Sequence, residues 1–432
     1  MFEPHAVLID PQIYDCLNMG GMAMVSGLVA RLRARWPEAR LMALTEAPAT
    51  LARLLPGVQP VPHAHLLQWT AERFLLGAVL RRMPYRVSRR VLQVQGHAEQ
   101  RYPRLSWAAT RARVRFTSAR ADFDIYLRAI AEADLIVVSG SSGPSDAFPA
   151  SLRATLVSLQ LAAASGTPTL MVSQGAGAPI APGTLLDRTR HILPRVDVVL
   201  VRERCAAAQR FADLGVPRER ILFGGDDAFD AAHAARPGRL GDRLGVNLRV
   251  AAYTGVGPAV LEETRQTLQT FARATGVRLE PVPIALHERS PDHEAIRLLL
   301  AGLDDASDGG RTLDTPEAAT RAAGRCRVVV TGAYHSAVFA LAQGVPVVAV
   351  VGSELYGDKF RGLEEQFGDA VRLVPVAEAA FGARLLDAVQ ATWHAADALH
   401  PRTIGAVRGI VELNRAAYAQ AFDRVTAGVG VR

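Results

Sequence analysis

A repeating order of short apolar run, loop and helical stretch constrains this chain more than any other feature. Ala6-Val-Leu-Ile-Asp10 leads into the turn Asn18-Met-Gly-Gly21, an amphipathic stretch from Met22 to Trp36 closed by Pro37, and a second apolar run, Leu41-Met-Ala-Leu-Thr45. A strand, loop, helix and strand in that order imply a right-handed parallel crossover. The order breaks between about 64 and 128, which reads as an inserted helical region, and then resumes. Asp134–Ser139 runs into Gly140-Ser-Ser-Gly143, a helix is expected over about 149–165, and Thr167–Ser173 runs into Gln174-Gly-Ala-Gly-Ala-Pro179. Val196–Val201 is followed by Arg202-Glu203, and Ile221–Phe223 by Gly224-Gly-Asp-Asp227. Ala231–Gly241, rich in Ala, Arg, Pro and Gly, reads as a linker.

A second series follows, with strands expected at Leu244–Arg249, Arg278–Ile284, Arg327–Thr331, Val347–Val351 and Val371–Val374. Ser290-Pro291 and Thr315-Pro316 each read as an N-cap with proline at the first helical position. Helices are expected over roughly 376–395 and 402–426. At 432 residues the chain exceeds what one core usually organises. The reading is therefore an α/β protein of two doubly wound, Rossmann-like domains facing a cleft. Residues 1–235 form the first domain with the insert, 236–400 the second, and 401–432 a closing helix.

Apolar residues make up 49% and charged residues 21%, which suits a soluble globular chain. Cys16, Cys205 and Cys326 stand far apart in no metal spacing, so no metal site is expected. The start lacks the features of a signal peptide, and no apolar run approaches the ~20 residues that span a bilayer, so a cytoplasmic location is expected. The net charge of +7 is unevenly spread. Residues 73–120 hold twelve arginines and one acid, Glu99, for +11, which leaves −4 for the rest (7 − 11). A nucleic-acid binder would carry its charge differently. The segment is expected instead to touch anionic membrane surfaces or a lipid-linked substrate, peripherally at the inner membrane face.

Of the 49 Lys and Arg residues only Lys359 is a lysine. It follows the run Val345–Val351, near a strand-to-helix junction of the kind where α/β sheets bind ligands. A compact ammonium and a planar guanidinium are not interchangeable at a tight site, so this lysine is a candidate ligand-binding residue, placed on an exposed loop. Arg202, directly after Val196–Val201, can grip a carboxylate or phosphate in two places. His335 opens a helix expected at Ser336–Gln343, where a bound anion would favour its protonated form and suit a general acid. Asp226 and Asp227 could act as a base or cap a helix. The loops at Gly20-Gly21, Gly140–Gly143 and Gly175–Gly177 can let a ligand approach the backbone.

Taken together these segments resemble the polysaccharide pyruvyl transferase family from about residue 6 to 375. The resemblance is carried by Asn18-Met-Gly-Gly21, Asp134–Gly143, Ser173-Gln-Gly-Ala-Gly-Ala-Pro179, Val201-Arg-Glu-Arg204 and Val246-Asn-Leu-Arg249. Its most specific stretch is His335–Val350 with Tyr356-Gly-Asp-Lys359. It implies a GT-B-like fold, no cofactor, and phosphoenolpyruvate as donor of pyruvate to a sugar hydroxyl of a cell-surface glycan or its lipid-linked precursor. In that picture His335 and Asp226 are catalytic. Arg202, Lys359, Tyr356, Ser336, Gly175 and Gly177 hold the donor, and Asn18, Gly20, Ser141 and Ser142 the acceptor. The chain departs from the family at Ala333, where the family has an arginine, at Gly21 in place of its aspartate, and at Ser-Ser-Gly in place of its triple glycine. An arginine from elsewhere would have to replace the missing one, or the donor has changed. A nucleotide-sugar glycosyltransferase on the same frame and a catalytically silent glycan- or partner-binding relative are the alternatives.

Overall fold

The computed structural model describes residues 2–63, 120–288 and 290–427, with single positions between 83 and 112. Apart from those positions and Arg120, the basic segment 73–120 lies outside the described residues. Among the described residues the apolar runs form two parallel sheets. The first joins β1 (Ala6–Asp10), β2 (Arg40–Thr45), β3 (Gln59–Pro62), β4 (Leu135–Val138), β5 (Thr169–Gln174), β6 (Val198–Val201) and β7 (Ile221–Phe223) in the order β3-β2-β1-β4-β5-β6-β7. The second joins β8 (Arg243–Asn247), β9 (Leu279–Pro281), β10 (Cys326–Thr331), β11 (Val347–Val351) and β12 (Val371–Pro375) in the order β12-β11-β10-β8-β9. Most of the central strands are buried along their length, which is why they read as continuous apolar runs without alternation. Strand order reverses between β1 and β4 and between β10 and β8, and each such switch point opens a crevice at the carboxyl ends of the strands.

Three local expectations are corrected. Asn18-Met-Gly-Gly21 is no turn. Asn18 caps the helix Met19–Arg35, its Oδ1 accepting from the Gly21 amide at 2.9 Å, so both glycines sit in the first helical turn. Thr315 caps Pro316–Gly324 as read, but Ser290 does not cap the next example: Pro291 is the N-cap of Asp292–Leu300. The expected linker begins inside a helix, Ala228–Ala234, whose Phe229 and Ala232 are buried in the core beneath the second sheet.

The two helices expected over 376–395 and 402–426 are instead one 47-residue helix, Phe381–Ala427, running through Pro401. An interior proline costs about 3 kcal/mol. Packing on both sides of it outweighs that. Leu385, Val389 and Ala396 join one core cluster of the second sheet, Val407, Ile410 and Val411 another, and Tyr418, Phe422 and Val425 pack under the first sheet with Val7 and Leu200. The helix therefore straps the second half of the chain back onto the first. Asp227 fixes the far end, accepting from Tyr418 Oη at 2.7 Å and Asn414 Nδ2 at 3.1 Å.

Candidate active site

The loops at the carboxyl ends of both sheets converge on a cavity of about 440 Å³. The loop after β1 supplies Gln12 to Asp15 and Asn18, the loop after β4 supplies Gly140 to Ser145, and the ends of β6 and β8 supply Arg202 and Arg249. Ala333, Tyr334 and His335 come from the start of the helix Tyr334–Ala342 that follows β10, and Tyr356 and Lys359 from the helix Glu354–Phe367 that follows β11. Backbone bonds close the cleft floor: Met19 donates to Ile284 at 2.8 Å and Leu286 to Leu17 at 2.8 Å. His287 Nδ1 and Asp15 Oδ2, 2.8 Å apart, add a side-chain tie between the halves.

Lys359 is buried, which corrects the expectation of an exposed loop charge. Glu354–Phe367 is a helix whose cap, Ser353, accepts from the Tyr356 amide, and Lys359 lies in its second turn. Its Nζ donates to Ser142 Oγ at 2.9 Å and sits 4.7 Å from the centre of the Tyr356 ring. Burial above all, and then the Arg202 charge, press its pKa from 10.5 down to about 7, against a smaller opposing pull from Glu203. At that value the lysine is poised near neutral pH between its charged and neutral forms.

Arg202 is 2% exposed and held from two sides. Its Nε donates to Glu203 Oε1 at 2.9 Å, its Nη1 faces Asp226 Oδ2 at 3.4 Å, and its guanidinium lies over the Tyr334 ring at 4.3 Å. Although burial disfavours the charge, Tyr334, Glu203 and Asp226 together keep it firmly protonated. His335 Nε2 stands 3.5 Å from the same Asp226 oxygen, Oδ2, that faces Arg202, an ion-pair separation at which the ring nitrogen makes no hydrogen bond. Burial, with Arg202 and Lys359 adding repulsion, holds the imidazole pKa below its usual value in spite of Asp226. The start of the His335 helix is open, because its N-cap is Ala333, which has no side chain to cap with. Its first amides are therefore available to an anion.

The cavity brings together Asn18, Ser141, Ser142, Arg202, His335, Tyr356 and Lys359 from the expected set. The other five lie behind its wall. Asp226 is wholly buried, with Oδ1 accepting from the Ala228 amide at 3.0 Å, and touches the cavity only through His335 and Arg202. Ser336 donates to the Val282 carbonyl at 2.8 Å and accepts from Asn247 Nδ2 at 3.0 Å, so its hydroxyl is consumed by packing. A side chain at Gly20 would overlap the His335 ring, and one at Gly175 would crowd Arg202 Nη2. Gly177 has φ +67° against the Pro144 carbonyl, where only glycine fits without strain. Ser142, expected on the acceptor side, stands with Lys359.

Arg249 and Tyr334 were not among the expected site residues. Arg249 is 5% exposed, paired to Asp292 Oδ1 at 3.0 Å and bonded to the Tyr253 hydroxyl at 3.1 Å. It stands just past β8 as Arg202 stands just past β6, and that shared position was the available signal. Among the described residues, no group of His, Cys, Asp or Glu could hold a metal ion.

A family model described as polysaccharide pyruvyl transferase matches residues 18–354. No curated protein matches the chain. Among solved structures, a putative UDP-N-acetylglucosamine 2-epimerase from Listeria monocytogenes superposes with a TM-score of 0.55 at 14% identity, over 94% of this chain and 91% of its own. Arabidopsis thaliana UGT89C1 complexed with UDP-L-rhamnose gives 0.53 at 12%, over 99% of each chain. Anabaena Alr3699/HepE in complex with UDP and glucose gives 0.51 at 12%, over 97% of this chain and 99% of its own. At such identities the likeness establishes the fold: two Rossmann-like halves in the GT-B arrangement.

Proposed function

The chain belongs to the polysaccharide pyruvyl transferase family and is a transferase enzyme, and on that premise we propose that it moves pyruvate from phosphoenolpyruvate onto hydroxyls of a glycan or its lipid-linked precursor. One observation carries the reading. Lys359, Arg202 and the open start of the helix Tyr334–Ala342 converge beside His335 on a single cavity. A small anion with a carboxylate at one end and a phosphate at the other matches two cations and a helix N-terminus. Arg249, lining the same cavity, takes the part of the family arginine replaced by Ala333.

The chemistry follows from the residue types. A donor dianion favours the charged forms of Lys359 and His335, reversing the effect of burial. Imidazolium His335, its charge balanced by Asp226 3.5 Å from Nε2, gives a proton from its other ring nitrogen to the donor methylene, and positive charge develops on the central carbon. An acceptor hydroxyl oxygen bonds to that carbon and its proton returns to His335. The bond between that carbon and the bridging phosphate oxygen then breaks, a second hydroxyl adds to the carbon, and its proton leaves on the phosphate. The products are a ketal and inorganic phosphate. Lys359, Arg202 and Arg249 stabilise negative charge as it moves onto the departing phosphate.

Phosphate release from phosphoenolpyruvate, followed by phosphorus NMR with a mixture of saccharide acceptors, tests the proposal. Acceptor-dependent release that disappears in His335→Asn is the expected result. Release from a UDP-sugar, with phosphoenolpyruvate untouched, would favour the nucleotide-sugar alternative. No helix among the described residues is long and apolar enough to cross a membrane. The net charge of +11 on residues 73–120 supports contact of that segment with a lipid-linked acceptor, and flotation with anionic against neutral vesicles checks it.

A further inference from the structure

Folding leaves the chain's sole lysine without the partners an ammonium needs. An ammonium has three N–H donors. Among the described residues the Lys359 nitrogen makes one hydrogen bond, to Ser142 Oγ at 2.9 Å, and the residue is 7% exposed. Glu203 pulls on it only through space, because both carboxylate oxygens are bonded elsewhere. Oε1 accepts from Arg202 Nε at 2.9 Å and Oε2 from the Ala176 amide at 3.0 Å. Arg202 repels the charge, His335 feels it as a further repulsion, and the Tyr356 ring walls the nitrogen at 4.7 Å. A buried amine beside a second cation gives up its proton readily, and the neutral form is a nucleophile.

An unengaged guanidinium nitrogen stands close by. Arg202 Nε and Nη1 are held by Glu203 and Asp226, whereas Nη2 has no hydrogen-bond partner among the described residues. A Cβ at Gly175 would lie 2.9 Å from that Nη2 and 2.9 Å from the Ser142 carbonyl oxygen. The missing side chain therefore brings Arg202 Nη2 beside the residue that holds Lys359, and both cations line the cavity. A guanidinium N–H suits a carboxylate oxygen. A neutral amine suits a carbonyl carbon. Side by side, the two fit a molecule in which a carboxylate is bonded directly to a ketone, a 2-oxo acid. Arginine cannot serve as the amine, since it stays protonated. The single lysine among 49 cationic residues thus stands where an amine does what a bare charge cannot.

We propose that Lys359 is a covalent site for small 2-oxo acids such as pyruvate, forming an imine with the ketone carbon while Arg202 Nη2 holds the carboxylate. The nitrogen lone pair bonds to the ketone carbon and the carbonyl π electrons move to oxygen. The proton lost by nitrogen is taken up by that oxygen, and Ser142 Oγ, already bonded to the amine, is placed to carry it. The carbinolamine then loses its hydroxyl with the second nitrogen proton, as water, and a carbon–nitrogen double bond forms. Amine and ketone give imine and water, with no oxidation or reduction. This goes beyond the donor reading and does not need it. Where that reading holds, hydrolysis of phosphoenolpyruvate releases pyruvate and phosphate, and the imine then blocks the donor corner as a brake on the enzyme.

Reductive trapping of the full wild-type chain tests this. Pyruvate and sodium cyanoborohydride are added near pH 7, and peptide mass spectrometry follows the secondary amine formed. With a single lysine, the amino terminus is the other primary amine and serves as an internal reference. Lys359 is expected to be trapped about tenfold faster than the amino terminus, because the carboxylate grip holds the ketone beside it. Acetone, which has the ketone without the carboxylate, should erase most of that advantage. In urea the order should reverse, since an unfolded lysine is far more basic than an amino terminus. A native Lys359 trapped no faster than the amino terminus would overturn the proposal. So would an advantage over the amino terminus that is as large with acetone as with pyruvate. Phosphoenolpyruvate should slow the trapping. Fast, pyruvate-selective trapping that phosphoenolpyruvate leaves unchanged would uphold the imine site and count against the donor reading alone.

Discussion

Replacing Lys359 by methionine should stabilise the empty protein, because the site holds a buried cation that folding disfavours. The lysine is 7% exposed, and its pKa falls from 10.5 to about 7. Each tenfold change in proton affinity is about 1.4 kcal/mol, so keeping the ammonium in the empty cavity costs about 5 kcal/mol below neutrality. Methionine forfeits the bond to Ser142, about 1 kcal/mol, and water in the open cavity screens part of the rest, which leaves a net gain of about 2–3 kcal/mol. The sign follows from proton counting. Between pH 7 and 10.5 the unfolded chain holds a proton that native Lys359 has released. Wild-type stability therefore rises with pH across that window, and the full penalty stands below it. Urea unfolding of wild type and Lys359→Met near pH 6 and again near pH 10 measures the difference. The variant should lead at the lower pH, and its lead should shrink at the higher one. A variant equal to or weaker than wild type near pH 6 would refute the claim that Lys359 is an electrostatically strained ligand-binding group.

His335→Asn should lower transfer about 10²–10⁴-fold, the usual contribution of a general acid, while a cooperative unfolding transition and donor binding remain. Phosphoenolpyruvate binding near pH 8 should take up protons, since Lys359 and His335 both sit below their ordinary pKa in the empty site and a dianion restores their charge. Calorimetry in buffers of different ionisation enthalpy reads the uptake, and affinity should fall as pH rises above about 7. Asp227, whose pKa burial lifts from 3.8 to about 7, holds a proton when native that the unfolded chain has lost. Its contribution therefore weakens stability as pH rises from about 4 to 7, and Asp227→Asn should flatten that slope and match or exceed wild type at pH 8 in thermal unfolding. The Asn414 Oδ1, buried without a hydrogen bond, gives the new amide a partner if Asn414 flips.

Both sheets were legible because parallel strands covered on each face must be apolar along their length, as in Leu8, Val137 and Val330. What the sequence hid was set by distant packing. Nothing near Pro401 shows that the helix around it is held on one side by Leu385 and on the other by Phe422. The edge strand β3, with prolines at 60 and 62, lacks an apolar signature. Within the site, Arg202, His335 and Lys359 could be read from their places after strands, but their burial could not. Lys359 is buried because its helix faces Ser142 on the opposite half of the chain, 217 residues away in sequence. Asp226 was legible as a carboxylate at a strand end, whereas its seat behind His335 depends on how the two halves meet. Arg249 carried the same positional signal as Arg202 and was read only as part of a strand.

The central claim is that the corner of Arg202, His335 and Lys359 is built for phosphoenolpyruvate. Isothermal titration of the wild type and Lys359→Met with phosphoenolpyruvate, UDP and UDP-glucose addresses it directly. The account predicts that phosphoenolpyruvate binds the wild type, that UDP and UDP-glucose do not compete with it, and that Lys359→Met weakens its binding by roughly 2–3 kcal/mol, the scale of a hydrogen bond to a charged group. Binding of UDP-glucose in place of phosphoenolpyruvate, or phosphoenolpyruvate binding that is indifferent to Lys359, would contradict it.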